Sequence, residues 1–286
     1  MTGLAFLLLL CAAFFHAFWN YISKKACGGT VFVWLFNAVA AVVYIPVVIG
    51  AIWITKSQFT WESVFFMLGS ATLHIGYFVL LNKGYSVGDL SLVYPLARGS
   101  GPLLSTLAAV FLLGEQPSMV ALIGTVFIAA GVFLLLGNPA KYTETKASQA
   151  ILFAILTGFF IASYTLWDKY AVSIIAVPPI LMYWGTTVCQ ALLLLPYAMK
   201  NRETVMYQWK TNCRAVFGVA VLCPLSYILV LTAMVFTPVS YVAPVREASI
   251  LIGAIIGTRF LAEGDAKLRI AAAIIILAGL TCLALG

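Results

Sequence analysis

The chain repeats itself at an offset of 148 residues, and each copy places an arginine inside a long apolar run. Arg98 matches Arg246, and each is followed after 17 residues by a glutamate, Glu115 or Glu263. Two further pairs keep the same offset, namely Trp19 with Trp167 and Gly131 with Gly279. A duplicated hydrophobic unit with a charge at membrane depth is typical of membrane transporters and not of soluble enzymes.

The composition agrees with a membrane protein. Of the 286 residues, 63% are hydrophobic and only 9% are charged, whereas soluble domains carry about 25% charged residues. A membrane-spanning helix needs about 20 residues, so ten spans occupy nearly the whole chain. We therefore predict an all-α membrane protein, without room for a soluble catalytic domain.

Apolar runs and their breaks predict ten transmembrane helices. Most breaks contain turn-forming pairs such as Gln116-Pro117 and Thr237-Pro238. The predicted spans are 4–22, 31–53, 62–82, 89–113, 118–137, 149–169, 178–199, 214–236, 239–261 and 267–285. The domains follow as a first five-helix repeat over 1–137, a polar linker over 138–148 and a second five-helix repeat over 149–286.

Five spans in each half is an odd number, so the second half enters the membrane in the opposite orientation to the first. This arrangement is an inverted repeat, in which a pseudo-two-fold axis lies in the membrane plane. It predicts a binding site between the two halves, near the middle of the bilayer.

The positive charges are distributed unevenly among the loops. Of the 16 Lys and Arg residues, 12 lie in odd-numbered loops and their helix ends, 2 lie in even-numbered loops, and Arg98 and Arg246 lie within spans. The positive-inside rule then places the odd loops in the cytoplasm and both termini outside. Basic loops beside anionic lipid account for the net charge of +7, so we expect no nucleic-acid partner.

Motifs for metal binding and catalysis are missing from the sequence. The six cysteines form no C-x-x-C pair and no cluster with histidine, and we interpret them as small core residues. The chain has no Gly-rich phosphate loop and no ATPase motif. We expect no cofactor, no metal and no enzymatic activity, and energy for uphill transport must then come from an ion gradient or from exchange.

The two arginines within spans are the first candidates for substrate contact. Burying a charge at the middle of a span costs at least about 2.5–3.5 kcal/mol, so each should face a partner or a wet cavity. The guanidinium fork suits carboxylate or phosphate groups. The alternative is an internal ion pair with Glu247 or Asp168 that only holds the halves together.

Glu247 directly follows Arg246, and adjacent helix positions point about 100° apart. We therefore expect one of these side chains to face the cavity and the other to pair with a neighbouring helix. Three roles are open for Glu247, which are binding a substrate ammonium, carrying a coupling proton and forming a salt bridge to Arg98.

Further polar and aromatic residues share helix faces with these charges. His16 and Asn20 are four residues apart, as are Tyr164 and Asp168, and Tyr94 lies four residues before Arg98. Trp19 and Trp167 either shape the site or belong to the aromatic belt of the membrane interface. The remaining candidates are His74, Tyr77, Tyr227 and Tyr241. Glu115 and Glu263 end their spans, and we interpret them as boundary caps.

Several segments make the chain similar to the EamA-type ten-helix carriers of the drug/metabolite transporter superfamily. The two halves end in "LLGEQPSMVALIGTVFIAAGVFLL" and "FLAEGDAKLRIAAAIIILAGLTCLAL", and "HAFWNYISK" and "GDLSLVYPLARGSGPLL" resemble one subgroup. The resemblance covers essentially the whole chain. It implies a cavity lined by spans one, three, four, six, eight and nine, and so by Trp19, Asn20, His74, Tyr77, Tyr94, Arg98, Tyr164, Asp168, Tyr227, Tyr241, Arg246 and Glu247. It also implies cytoplasmic termini, which the charge bias contradicts.

Together these observations predict a secondary active transporter in a bacterial inner membrane. Its substrate is expected to be a small anionic or zwitterionic metabolite, such as an amino acid or an organophosphonate, moved by alternating access. Transport is coupled to protons or to exchange, and we expect a monomer surrounded by the lipid bilayer. Two alternatives remain, a flippase for a lipid-linked sugar phosphate and a membrane scaffold that transports nothing.

Overall fold

A computed structural model describes residues 1–26, 28–56, 58–87, 90–134, 145–252 and 266–286; side chains at 90, 91, 94, 95, 145–147, 266, 267 and 269 lie outside this description. Its helices are α1 (Gly3–Ala26), α2 (Gly29–Val43), α3 (Ile45–Thr55), α4 (Trp61–Val87), α5 (Leu90–Leu113), α6 (Met119–Leu134), α7 (Thr145–Ser173), α8 (Pro179–Lys200), α9 (Arg202–Phe236), α10 (Val239–Arg246) and α11 (Ala266–Leu285). The described part of the chain contains no β-strand.

Six of these helices contain a segment long and apolar enough to cross a membrane, and the bent pair α2–α3 forms a seventh candidate. Helix α6 and residues 270–285 of α11 are apolar but shorter. Large side chains such as Trp53 and Phe111 are at least 80% exposed on the outside of the bundle, where lipid replaces water as the solvent. The chain is therefore an all-helical, multi-pass integral membrane protein.

The predicted span 31–53 is two helices, which meet at Tyr44 with a bend of 47°. Pro46 lies in the first turn of α3, and proline cannot donate the backbone hydrogen bond that would continue α2. The Tyr44 hydroxyl donates to the carbonyl of Val221 at 2.7 Å. This bond ties the bend to α9.

Helix α9 begins at Arg202, so the prediction of a loop over 200–212 was wrong for most of that segment. The segment is polar but contains neither Gly nor Pro, and Arg, Glu, Gln and Lys are good helix formers. The helix is kinked at Asn212, where φ is −121° and ψ is 19°. The Asn212 amide donates to the Gln208 side chain at 2.7 Å and to the Ala26 carbonyl at 3.2 Å, which fixes the kink against α1.

The predicted span 239–261 is interrupted at Glu247. Helix α10 ends at Arg246, and Glu247 has a ψ of −5° before the chain turns helical again over 248–252; residues 253–261 lie outside the described residues. Pro244 precedes the break, and proline inside a helix removes a backbone hydrogen bond and kinks the chain. The break lies directly after Arg246, one of the buried charges of the site.

Helices α6 and α11 approach each other through glycine. A Cβ atom at Gly124 would lie 2.7 Å from the carbonyl oxygen of Gly279, and a Cβ atom at Gly279 would lie 2.7 Å from that of Gly124. About two turns further along α6, a Cβ atom at Gly131 would lie 3.0 Å from the carbonyl of Ala272. Later residues of α6 thus meet earlier residues of α11, so the two helices are antiparallel.

Helices α2 and α8 are also antiparallel and exchange hydrogen bonds through their tryptophans. The indole of Trp34 donates to the carbonyl of Ala191 at 3.0 Å, and that of Trp184 donates to the carbonyl of Ala41 at 2.8 Å. The main core is one cluster of side chains from α1, α3, α4, α6, α7, α8, α9, α10 and α11.

Candidate functional site

Two arginines and a glutamate meet at the middle of the helix bundle. Nε of Arg98 on α5 lies 3.0 Å from Oε2 of Glu247, and Nε of Arg246 lies 3.8 Å from Oε1 of the same carboxylate. All three residues are at most 4% exposed. Neither contact has the geometry of a hydrogen bond, so the three groups are held by charge more than by directed bonds.

Glu247 pairs at 3.0 Å with Arg98 on the neighbouring helix α5, as one of the two adjacent side chains was expected to do. Arg246 lies over the Tyr164 ring instead, and the two long side chains still approach each other to 3.8 Å. The break at Glu247 follows Pro244, a residue that the sequence already shows.

Arg98 connects this charged group to α1 and to the turn after α10. Its Nη2 lies 3.3 Å from Nε2 of His16 and donates to the Ser249 hydroxyl at 3.3 Å. Of the ion pairs considered for Arg98, the structure shows the pair with Glu247. Arg98 is thus a junction between the first and second halves of the chain.

Arg246 is held more loosely. Its Nη2 has no hydrogen-bond partner among the described residues, although the side chain is only 2% exposed. Its guanidinium carbon lies 5.8 Å from the centre of the Tyr164 ring, within the range of a cation–π contact. A buried donor without a partner costs free energy unless something else binds it.

Asp168 forms a second buried acidic site on α7. Its Oδ2 accepts a hydrogen bond from the Tyr227 hydroxyl at 2.7 Å. Oδ1 has no hydrogen-bond partner in the part of the chain that the structure describes, although Ser70 lies nearby. The neighbouring cation, Lys169, instead donates to the carbonyls of Met234 and Thr237 at 2.6 and 3.1 Å.

Aromatic rings from three helices lie close to Arg246 and Asp168. The His74 ring stacks on Tyr164 with centroids 4.0 Å apart and meets the edge of Tyr227 at 5.6 Å. Tyr77 meets Tyr164 at 6.1 Å. The structure thus brings together Arg98, Arg246, Glu247, Asp168, His74, Tyr77, Tyr164 and Tyr227 from the predicted set.

Trp19 and Asn20 lie beside this group on α1. The Trp19 ring packs against His16, which contacts Arg98, at a centroid distance of 5.0 Å, and its buried Nε1 has no hydrogen-bond partner among the described residues. The Asn20 amide donates to the carbonyl of His16 at 2.8 Å, which bonds it to its own helix.

Two predicted residues, Trp167 and Tyr241, are placed differently. Trp167 donates to the carbonyl of Phe66 at 2.8 Å and packs on that ring, so its contacts join α7 to α4. The Tyr241 hydroxyl donates to the carbonyl of Gly286 at 3.1 Å and so ties α10 to the end of α11. The Tyr94 side chain lies outside the described residues.

The contacts of Glu115 confirm the prediction that it is a boundary cap. Its two carboxylate oxygens accept backbone hydrogen bonds from Val239 at 2.7 Å and Ser240 at 2.9 Å, at the start of α10. A carboxylate at a helix N-terminus satisfies free N–H groups and the helix dipole. The equivalent prediction for Glu263 lies outside the described residues.

Sequence reasoning missed three residues at the site. Ser249 contacts Arg98, Ser70 lies 3.3 Å from the His74 ring, and Tyr183 packs on Tyr227 at 5.2 Å. The four-residue spacing of Ser70 and His74 on one helix face is a signal that was available. Tyr183 lacked such a signal because it comes from α8, which the resemblance did not implicate.

Within the described residues, no three His, Cys, Asp or Glu side chains come together as metal ligands. The fold and the buried group of opposite charges define a polytopic helical membrane protein with a polar centre. The model of the EamA-like transporter family matches residues 3–137 and again residues 148–285. The chain therefore belongs to the EamA-like transporter family.

Membership confirms the prediction of an EamA-type member of the drug/metabolite transporter superfamily, and it makes the chain a membrane transporter. Among solved structures, one titled "Crystal structure of protein" is similar in fold, with a TM-score of 0.78 over 100% of this chain and 98% of that chain. The two chains are 14% identical, so this likeness concerns the fold alone. No curated protein matches the chain.

Proposed function

We propose that this chain is a secondary active transporter for a small anionic or zwitterionic metabolite of the amino acid or organophosphonate kind. The observation that carries the proposal is Arg246. Its guanidinium is buried in the bundle, contacts Glu247 only at 3.8 Å, and keeps Nη2 without a partner among the described residues. Guanidinium binds carboxylate and phosph(on)ate through paired hydrogen bonds, so an acidic substrate group would satisfy this donor.

Arg98 is proposed to assist by fixing Glu247. Glu247 lies 3.0 Å from Arg98 and 3.8 Å from Arg246, so its single negative charge is shared between two cations. Arg246 is therefore only partly neutralised and can still attract a second anion. Substrate binding at Arg246 would therefore loosen the contact between Arg246 and Glu247 and change the contact of Glu247 with Arg98, which links the fourth and ninth predicted spans. Such a link gives the substrate a different affinity for different arrangements of the halves, as transport requires.

Alternating access between two inverted halves is proposed from the helix pairing. At the offset of 148, α6 corresponds to α11, and the contact of Gly124 with Gly279 corresponds to that of Ala272 with Gly131. Both pairs of equivalent helices described above are antiparallel, which supports a pseudo-two-fold axis in the membrane plane. The charged residues are at most 4% exposed, so the halves must move apart on one side before a substrate can enter.

The setting proposed for the carrier follows from the charges. It is a bacterial inner-membrane protein whose termini lie outside according to the loop charges. It is a monomer, because one chain supplies both halves, and it is driven by protons or by exchange.

The test is a thermal-unfolding screen of the purified protein in detergent. The panel contains amino acids, aminophosphonates, phosphorylated sugars, plain carboxylates and lipophilic cations. A ligand at about 100 times its Kd stabilises a protein by about 2.7 kcal/mol. We expect anions or zwitterions to stabilise the wild type and Arg246→Gln to abolish the effect, whereas the exposed Arg202→Gln leaves it unchanged. Stabilisation by lipophilic cations alone would refute the proposal.

A further inference from the structure

Asp168 is a buried acidic group that forms no ion pair with either arginine. It is 1% exposed, and among the described residues it makes no ion pair. One carboxylate oxygen accepts from Tyr227, and the other, Oδ1, has no hydrogen-bond partner in the same part of the chain. An acidic group kept in the interior with an unused oxygen is a candidate site for a cation or a hydrogen-bond donor.

Glu247, in contrast, has no carboxylate oxygen that lies away from a cation. Both of its carboxylate oxygens lie beside arginine nitrogens, at 3.0 Å from Arg98 and 3.8 Å from Arg246. Lys169, the cation next to Asp168 in sequence, donates to two backbone carbonyls at the end of α9. Of the two acids considered for a substrate amino group, the contacts therefore favour Asp168 over Glu247.

The unused oxygen of Asp168 and the unused nitrogen of Arg246 border the same aromatic cluster. Tyr164 lies four residues before Asp168 on α7, and the guanidinium carbon of Arg246 lies 5.8 Å from its ring centre. Tyr227, which donates to Asp168, is 6.2 Å from Tyr164 between ring centres. A cationic donor and an anionic acceptor, each with an atom that has no hydrogen-bond partner among the described residues, thus both contact this aromatic cluster.

We propose that Asp168, together with Tyr164 and Tyr227, binds the ammonium group of a zwitterionic substrate while Arg246 binds its acidic group. A primary ammonium carries three donors, of which one fits Oδ1, and its charge is attracted to tyrosine ring faces. This inference rests on the proposed function and narrows its substrate class. The substrate has both an amine and a carboxylate or phosphonate, and a plain anion is a poor ligand.

Matched ligand pairs that differ only at the amine test this directly. The probes are 2-aminoethylphosphonate against 2-hydroxyethylphosphonate, alanine against lactate, and phenylalanine against phenyllactate. Their Kd values are measured by thermal shift and by titration calorimetry on the purified full-length protein. We expect the amine of at least one pair to bind wild type tenfold or more tightly than its hydroxyl partner.

Variants then locate the source of the preference. Asp168→Asn should bring the ratio of the two Kd values close to one and leave the affinity for the hydroxyl compound within about twofold, because an amide keeps the size but not the charge. Arg246→Gln should weaken both members of the pair, and the exposed Glu62→Gln should change neither. A preference that survives in Asp168→Asn would overturn the assignment.

The outcomes separate this inference from the function on which it rests. Anion binding without an amine preference in wild type would overturn the ammonium site and leave the carrier of an acidic metabolite standing. Wild type that binds neither member of any pair would overturn both. If Asp168→Asn is not monodisperse, Tyr227→Phe replaces it, because this variant removes the hydroxyl at 2.7 Å and keeps the ring; an amine preference that changes less than threefold in it would overturn the assignment.

Discussion

Replacing Glu247 by glutamine should destabilise the protein strongly, because this one carboxylate compensates two buried arginines. Glutamine keeps the shape and removes the charge. Glu247 is 0% exposed, and its oxygens lie 3.0 Å and 3.8 Å from the two guanidinium groups. Breaking a buried ion pair from one side costs about 3–5 kcal/mol. At about 2–4 °C for each kcal/mol, the unfolding temperature should fall by roughly 10 °C.

A second substitution, at Arg98, divides this loss of stability between the two arginine contacts of Glu247. Because Coulomb attraction falls with distance, the contact at 3.0 Å should contribute somewhat more than the contact at 3.8 Å. Arg98→Gln in the Glu247→Gln background removes one uncompensated cation, so the double variant should recover about 1.5–2 kcal/mol relative to the sum of the single changes.

The assay is thermal unfolding of the detergent-solubilised protein, followed by tryptophan fluorescence at a fixed scan rate. Glu62→Gln and Glu203→Gln are matched controls, since both glutamates are exposed, and each should unfold within about 1 °C of wild type, as exposed charges contribute little. If Glu247→Gln unfolds as wild type does, or if the cycle with Arg98 shows no coupling, the charge argument for the site is wrong.

Three other substitutions test the framework around the site. Gly279→Val should lower the unfolding temperature by several degrees, because its Cβ would lie 2.7 Å from a backbone oxygen, whereas Gly50→Val meets nothing within 4 Å and should be neutral in the same melt. Glu115→Ala removes two backbone hydrogen bonds to a carboxylate, each worth about 1.5–3 kcal/mol, and should speed hydrogen exchange at the start of α10 relative to α1. Lys169→Met frees two carbonyls at the end of α9 and should reduce stability by about 1–3 kcal/mol in the same melt, with Lys200→Met, at an exposed lysine, unchanged.

Much of the fold follows from the apolar runs, because lipid demands long helices whose backbone groups bond internally. The sequence alone missed the features that depend on local backbone geometry. The helix over 202–211 is polar and still forms the first part of α9. The bend at Tyr44 and the break at Glu247 lie inside apolar runs, near prolines. A hydropathy pattern reports burial in lipid and does not report whether a helix is straight.

The site, too, could be predicted only in part from the sequence. The offset of 148 and the cost of buried charge identified Arg98, Arg246, Glu247 and Asp168 from residue types alone. Which acid pairs with which base could not be predicted, because that depends on how α5 packs beside the end of α10. The contacts of Trp167 could not be predicted either, since its position in the repeat made it a site candidate and its indole bonds to the backbone of α4.

The close contact of Gly124 with Gly279 has a consequence for how the two copies have diverged. Both copies keep small residues at this contact, since Gly131 corresponds to Gly279 and Gly124 corresponds to Ala272. Away from the contact the chemistry differs, and Asn20 in one copy corresponds to Asp168 in the other. A duplicated scaffold of this kind can keep a close helix contact while its centre acquires distinct positive and negative groups, which would give the dipolar substrate proposed above one preferred orientation.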